Sequence, residues 1–348
     1  MAHIINVDAS NGRYGIVIDS GLVENIAQHA QKYALTERVG VVTNDTLAPI
    51  YGEKLVANLP NAVLVTMSDG EQYKTMESVT ELCREFARKG LDRHSLVLAL
   101  GGGVVGDTAG FAAATYMRGV TLVQMPTTLL SMVDSSVGGK VGVDLPEGKN
   151  LAGAFKQPDL VLIDPDVLKT LPEGEWRNGM AEVIKHGLLA DSSLLDPSLH
   201  TLSRAYELIT RAVQVKVDVI VQDPFEKGIR AFLNLGHTFG HAVELVTNFA
   251  VPHGEGVAIG LMAAAKLSHR LSLCGQDIVT LTEETLERVG LPTTTNGLDP
   301  EAFYAAMSTD KKWRDGRSRF VLLRAVGQPL IMEDVPKADV IAVLEELK

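Results

Sequence analysis

Three of the nine histidines fall between Asn234 and Gly256, in NLGHTFGHAVELVTNFAVPHGEG. His237 and His241 are four apart in a segment of helical spacing, so both rings leave one face of a helix. His253 follows after Pro252 and before Gly254, where a second helix is expected to begin. Neutral imidazole is the commonest protein metal ligand, and two rings from one helix with a third from the next element can surround one divalent ion. The anion such a site needs is available in RNGMAEVIKHG at 177–187, where Glu182, Lys185 and His186 lie on or near one helical stripe. A His/His/Glu set leaves the fourth zinc position open for substrate oxygens, which is the pattern of a catalytic rather than a structural site. The competing reading makes His237 and His241 surface or capping histidines. The glycines of GHTFGH favour metal, because they let backbone or ligand come close. Which of His237 and His241 would ligate is not decided by the residues alone.

A second concentration of chemistry lies in LVLALGGGVVGDTAGFAAA, residues 96–114. A strand ends at Leu100, glycines stand at 101, 102, 103 and 106, and a small-residue helix follows, so backbone N–H groups at a helix N-terminus face outward. That geometry suits a pyrophosphate. The Gly-x-Gly-x-x-Gly spacing is a weak signal alone, and the acidic residue expected about twenty positions later is missing. After Asp107 no Asp or Glu occurs before Asp134, which disfavours an ordinary dehydrogenase-type dinucleotide fold. Acidic groups lie upstream instead, in SDGEQYK at 68–74, where Asp69 and Glu71 can accept from ribose hydroxyls and Lys74 can offset phosphate charge. A tight strand-to-helix turn with a capping Asp is the plain alternative. Two adjacent strand ends with complementary groups favour a nucleotide crevice. Residues 124–150, QMPTTLLSMVDSSVGGKVGVDLPEGKN, carry hydroxyls, glycines and lysines and read as too polar for core. Thr127 and Thr128 can donate to ribose or phosphate oxygens. Asp134, Lys140, Lys149 and Asn150 read as a ligand-contacting loop, with 144–150 expected to be solvated surface.

The elements that must position these groups are visible in the hydrophobic pattern. Short apolar runs (YGIVI, RVGVVTN, AVLVTMS, SLVLALGGG, VTLVQMPTT, DLVLIDPD) alternate with amphipathic stretches such as 74–90 as far as about residue 170. Near-continuous apolar strands alternating with helices predict a parallel sheet covered on both faces. Beyond residue 170 long helical stretches, including 201–222 and 254–273, dominate, and only 318–335 reads as strands. Two domains are therefore expected, an α/β domain over 1–170 and a mainly α-helical one over 171–348, in keeping with 348 residues.

Composition narrows the partners. A net charge of −11 argues against nucleic acid and acidic membrane surfaces, so an anionic substrate must meet a local basic pocket. Two cysteines give no disulfide framework, no signal peptide is visible, and no apolar run is long enough to span a bilayer. A soluble cytoplasmic protein is expected.

Five segments together carry a family resemblance: GGGVVGD at 101–107, MPTTLLSMVDSSVGGKVGVD at 125–144, GMAEVIKHG at 179–187, LNLGHTFGHA at 233–242 and HGEGVAIG at 253–260. In this order, over nearly the whole chain, they resemble 3-dehydroquinate synthase. The resemblance implies an NAD- and metal-dependent lyase, with zinc or cobalt, that converts 3-deoxy-D-arabino-heptulosonate 7-phosphate to 3-dehydroquinate and phosphate. It further implies an active site in the cleft between the two domains, and a homodimer. By resemblance Glu182, His237 and His253 match the metal ligands, and His241 a substrate contact. NAD contacts would fall on Asp69, Gly70, Glu71, Gln72, Tyr73 and Lys74, on Gly103, Val104, Val105, Gly106 and Asp107, on Thr127, Thr128, Lys140 and Lys149, and on Val167, Leu168, Lys169 and Thr170. The anionic sugar phosphate would meet Arg118, Asp134, Lys140, Asn150, Lys185, Lys216, Arg230, Asn234, His241 and one lysine of Asp310-Lys311-Lys312, taken as Lys312. Other sugar-phosphate cyclases, whose substrates lack the carboxylate, are the nearest alternative. A glycerol-dehydrogenase-like polyol dehydrogenase and a non-catalytic nucleotide- or metal-binding protein are more distant ones.

Overall fold

The computed structural model describes residues 2–35, 37–295, 297–308 and 318–348. The chain divides into two compact units, Met1–Pro172 and Glu173–Lys348.

In the first unit seven strands form one sheet. They are β1 (His3–Ala9), β2 (Gly12–Ile18), β3 (Val39–Asn44), β4 (Ala62–Met67), β5 (Leu96–Gly101), β6 (Thr121–Pro126) and, later in the chain, β9 (Leu160–Ile163). Their order is β1-β2-β9-β6-β5-β3-β4, parallel throughout except for the antiparallel β1–β2 hairpin. All six residues of β3 and of β5 are buried, as strands covered on both faces must be. Four helices accompany them: α1 (Ile26–His29), α2 (Glu53–Asn58), α3 (Met76–Arg88) and α4 (Gly103–Thr115). The amphipathic stretch predicted at 74–90 becomes α3, capped by Thr75 Oγ1 accepting from Ser78 N and burying Val79, Leu82 and Phe86 at three- and four-residue spacing. From β3 the chain moves to β4 on one side and then crosses to β5 on the other, which opens a crevice at the carboxyl ends of these strands.

Two expectations fail here. Residues 140–150, expected as loop, fall instead in a hairpin of β7 (Lys140–Leu145) and β8 (Gly148–Phe155). Gly142 faces Gly153 across it so closely that a Cβ at either would strike the opposite backbone, while Val143 is fully buried and Val141 packs on Gly110 of α4. Tertiary packing overrides a glycine- and lysine-rich composition of low strand propensity. The segment before it is core rather than polar loop, with Thr127, Ser131, Met132, Val133 and Ser136 all buried. Thr128 and Ser131 satisfy each other locally: Thr128 Oγ1 and Ser131 Oγ are 2.8 Å apart, and Ser131 N donates to Thr128 Oγ1 at 3.1 Å. β1, unmarked in the sequence reading, alternates exposed and buried residues as an edge strand.

The second unit is built on α5 (Glu173–Leu189), α6 (Ala205–Gln222), α7 (His237–Val246), α8 (His253–Arg270), α9 (Gln276–Arg288), α10 (Pro300–Ser308) and α11 (Lys337–Glu346). The segment read as strands, 318–335, is the antiparallel pair β10 (Arg319–Ala325) and β11 (Gln328–Glu333). No helix among the described residues is long and apolar enough to cross a membrane.

Candidate active site

Glycines decide how α7 and α8 meet. Gly236 and Gly240 on one side face Gly256 and Gly260 on the other, each pair at four-residue spacing. A Cβ at Gly240 would lie 3.0 Å from the Gly256 carbonyl, one at Gly236 2.8 Å from the Leu261 nitrogen, and one at Gly260 would overlap the Gly236 oxygen. The glycines flanking the histidines thus serve backbone approach, with the left-handed Gly236 (φ 79°) starting α7. At its other side α8 is tied to α5, because Gly254 N–H donates to Asn178 Oδ1 and a Cβ at Gly254 would overlap the Asn178 backbone. Three helix segments are therefore drawn together where each carries one side chain of interest.

Those side chains are Glu182 of α5, His237 of α7 and His253 of α8, whose candidate ligand atoms all lie within 4.8 Å of one another. The Nε2 atoms of His237 and His253 stand 3.4 and 3.6 Å from Glu182 Oε1. Glu182 is completely buried, and its Oε1 makes no hydrogen bond among the described residues. Each ring is held through its other nitrogen: His237 Nδ1 lies 3.2 Å from the Leu235 carbonyl, and His253 Nδ1 lies 2.7 Å from Glu244 Oε1. With the proton on Nδ1, both Nε2 lone pairs face the same buried carboxylate oxygen, which is the arrangement of metal-ligating histidines. This donor set fits one divalent cation with an open position. His241 lies beside the cluster, with its ring centroid 5.5 Å from that of His237, but outside the converging set.

The electrostatics call for positive charge. Burial alone would push the Glu182 carboxyl up; the adjacent Lys185 ammonium, with the two imidazoles behind it, outweighs this and holds it well below the usual carboxylate range. Burial and the nearby Lys185 charge push His237 down to about 4, leaving it neutral. For His253 burial also acts downward, but Glu182 and Glu244 together raise it to about 9. A site that draws a proton onto one ring between two carboxylates is a site where a cation can replace that proton.

Other cations of this unit are buried as well. Lys185, Lys216 and Arg230 are 1%, 6% and 4% exposed, values that charged residues reach only when paired or working. Arg230 follows a turn in which Asp223 accepts from the backbone N–H groups of Lys227, Gly228 and Arg230 at 2.9, 2.7 and 3.0 Å, and its Nη1 donates to the Pro224 carbonyl. Asn234 Nδ2 donates to Glu226 Oε1 at 2.8 Å. Lys311 and Lys312 lie outside the described residues.

In the first unit the crevice gathers the other set. Gly102 ends the β5 turn and α4 begins at Gly103, with its first-turn N–H groups at the carboxyl edge of the sheet. Asp69, after β4, accepts from Asn44 Nδ2 and Thr46 Oγ1, both at 2.7 Å, so Asn44 at the end of β3 and Thr46 just beyond it are polar residues that the sequence reading missed. Lys74 does not stand open to a phosphate. Its Nζ lies 2.7 Å from both Asp107 Oδ2 and Asn150 Oδ1, bracing the turn after β4 to α4 and the β8 strand. Burial lowers Lys74, but Asp107 and Glu71 outweigh it and raise it; burial pushes Asp107 up against the opposing pull of Lys74. With 2.7 Å between them the pair is read as ionised. Lys149 Nζ is 3.5 Å from Glu71 Oε1. Gly70 has φ 115°, which turns the chain into the short 3₁₀ turn of Glu71, Gln72 and Tyr73. Thr127 N–H donates to the Gly101 carbonyl at 3.0 Å, and Thr128 packs on Gly102. Arg118 (φ 68°) ends a 3₁₀ turn, Asp134 lies in the turn at 131–135, and Lys140 opens β7. Val167, Leu168, Lys169 and Thr170 form a 3₁₀ turn, in which Thr170 Oγ1 lies 2.6 Å from the Tyr51 hydroxyl and exposed Lys169 pairs with Asp166.

A glycine-turn α/β unit joined to a helical unit with a His/His/Glu cluster defines a class of fold, and solved structures share it. A 2-deoxy-scyllo-inosose synthase solved with carbaglucose-6-phosphate, NAD+ and Co2+ superposes with a TM-score of 0.88 at 24% identity, covering 99% of this chain and 100% of that one. The 2-epi-5-epi-valiolone synthase of Streptomyces hygroscopicus, solved with NAD+ and Zn2+, gives 0.87 at 30% identity over 96% of each chain. The sequence match is closer and more particular. Residues 64–178 match the 3-dehydroquinate synthase N-terminal family model and residues 179–313 the C-terminal one. The 3-dehydroquinate synthase of Nostoc punctiforme is 42% identical over 99% of both chains, and that of a Synechocystis species is 44% identical over 96% of this chain and 97% of its own. The chain belongs to the 3-dehydroquinate synthase family and is an enzyme of that type.

Proposed function

We propose that this enzyme converts 3-deoxy-D-arabino-heptulosonate 7-phosphate to 3-dehydroquinate and phosphate, with Glu182, His237 and His253 holding one divalent ion and the glycine-rich crevice of the first unit holding NAD. The observation that carries the reading is the convergence of two Nε2 atoms on the buried Oε1 of Glu182, each ring locked through Nδ1. When bound, NAD supplies a reversible hydride acceptor, and a zinc or cobalt ion polarises the substrate hydroxyl oxygens.

The chain's own residues bind and orient. Arg230, whose backbone N–H is tied to Asp223 and whose Nη1 donates to the Pro224 carbonyl, suits the substrate carboxylate, because a guanidinium can grip it with two parallel hydrogen bonds. Lys185 and Lys216 supply further positive charge in an otherwise acidic protein, concentrating an anion with a phosphate and a carboxylate where solvent is excluded. Asn234 and His241 are the proposed hydroxyl contacts of this unit, and Arg118, Asp134, Lys140 and Asn150 those of the first. The backbone N–H groups from Gly103 onward fit the cofactor pyrophosphate, with Asp69 and Glu71 toward the ribose hydroxyls. Because bound cofactor is regenerated in each turnover, the protein's contribution is largely positioning and charge.

The cyclase reading without the carboxylate is less favoured, since identity to the synthases named for 3-dehydroquinate reaches 42–44% against 24–30% for the two cyclases. The cytoplasm as location and a homodimer as assembly remain part of the proposal. Supplying the heptulosonate phosphate with catalytic NAD should release phosphate, and a chelator should stop the release. Stoichiometric accumulation of NADH would contradict the proposal and favour a polyol dehydrogenase.

A further inference from the structure

Resting on the metal assignment above, we propose that Glu244 is a positioning residue, which fixes through Nδ1 the direction in which His253 Nε2 meets the ion. Glu244 stands seven residues after His237 on α7, so helical spacing puts both on one face. It is only 4% exposed, unusual for a glutamate unless it is paired. Its Oε1 is 2.7 Å from His253 Nδ1, a short bond with an acceptor that carries charge. An ionised carboxylate only accepts, so the ring proton belongs on Nδ1 and the Nε2 lone pair is turned toward Glu182.

The two histidines are not held alike, although each is the first residue of its helix. His237 starts α7 directly after Gly236 and is satisfied by a backbone carbonyl two residues away. His253 is likewise the first residue of its helix, α8, reached through a turn in which Asn248 and Phe249 both have positive φ, and the acceptor for its Nδ1 is a side chain from another helix. A carboxylate reaching over from α7 supplies the orientation that the local chain does not. The backbone beside it is tied separately, through Gly254 N–H to Asn178 Oδ1 on α5, four residues before Glu182. The side chain of His253 is thereby clamped to α7 and its main chain to α5.

The test is Zn2+ binding by the metal-stripped full-length chain, read by competition with a chromophoric chelator, together with Co2+ absorption spectra, in wild type, Glu244→Gln and Glu244→Ala. Glu244→Ala is expected to bind Zn2+ about 10–100-fold more weakly, the usual cost of losing such a partner. Glu244→Gln, which keeps a neutral acceptor at Nδ1, should recover part of that loss, and the Co2+ bands should shift in Glu244→Ala as the ring reorients. Packing alone would move the thermal midpoint but not the Co2+ bands. Should the alanine variant not fold, weaker binding and shifted bands in Glu244→Gln support the proposal. Wild-type affinity and unshifted bands in every folded variant would overturn it and leave the metal site standing, whereas a wild type that binds no Zn2+ would overturn both.

Discussion

Gly260 of α8 presses its bare Cα face onto the carbonyl oxygen of Gly236, leaving no room for a single methyl group. His237, the neighbour of one of these residues, and His253, seven residues before the other, owe their proximity to this contact. Gly260→Ala should force the helices apart, with an overpacking cost of about 1–3 kcal/mol in chemical denaturation. It should also weaken Zn2+ binding in the variant that remains folded. Alanine at Gly174, where a Cβ would meet nothing within 4 Å, is the control and should change neither.

Metal binding should release protons. In the metal-free protein His253 is raised to about 9, so near pH 7 it is protonated, and a cation must displace that proton. The sign follows: the stabilisation given by the charged ring is fully present below the ordinary histidine value of about 6.5 and is lost as pH rises through about 9. Zn2+ affinity should therefore climb with pH from 7 toward 9 and level off above. Calorimetric titrations at pH 7 in buffers of different ionisation enthalpy should report close to one proton released per ion; none released would contradict the assignment.

Lys74 joins Asp107 and Asn150 with the side chains of both ion-pair partners largely out of water. Lys74→Met leaves the Asp107 carboxylate buried without its cation and should cost about 3–5 kcal/mol in urea unfolding. Adding Asp107→Leu should recover much of that loss. NAD affinity, measured by fluorescence titration, should fall in the single variant because the turn carrying Asp69 and Glu71 loses its anchor.

Asp223 gathers three backbone N–H groups in the turn that presents Arg230. Burial acts upward on its carboxyl, but those N–H groups outweigh it and hold the value below the ordinary range. The turn is therefore stabilised above the usual carboxylate pKa of about 3.9 and loses that stabilisation as pH falls through the depressed value. Protection factors for amide exchange at 227–230, taken relative to the unstructured chain at the same pH, should be high near neutrality and fall on acidification. Asp223→Ala should raise KM for the carboxylated substrate while leaving Zn2+ affinity unchanged.

How much of this was legible in the residues depends on the kind of signal. His237, His241 and His253 stood out because histidines are few and two of them lie at helical spacing, and Glu182 because such a cluster needs an anion; the choice of Glu182, His237 and His253 came with the family resemblance. Spacing could not separate His237 from His241, which share a face, and only the crossing of α7 with α8 brings one Nε2 rather than the other to Glu182. Glu244 went unread because a glutamate on a helix looks like solvated charge, although it continues the 237–241–244 stripe. The six strands of the first unit read from the sequence were apolar runs. The β7–β8 hairpin was hidden because Gly142 and Gly153 are there for close pairing rather than for a turn. Asn44 and Thr46 could not be associated with Asp69 until β3 and β4 were known to be neighbours.

The central claim, that Glu182, His237 and His253 share one ion, is tested most directly by anomalous diffraction at the zinc edge from crystals of the full chain grown with Zn2+. The account predicts a single strong peak about 2.0–2.2 Å from a Glu182 oxygen and from Nε2 of both His237 and His253. A peak ligated by His241 in place of His237, or no peak among these residues at saturating Zn2+, would contradict it.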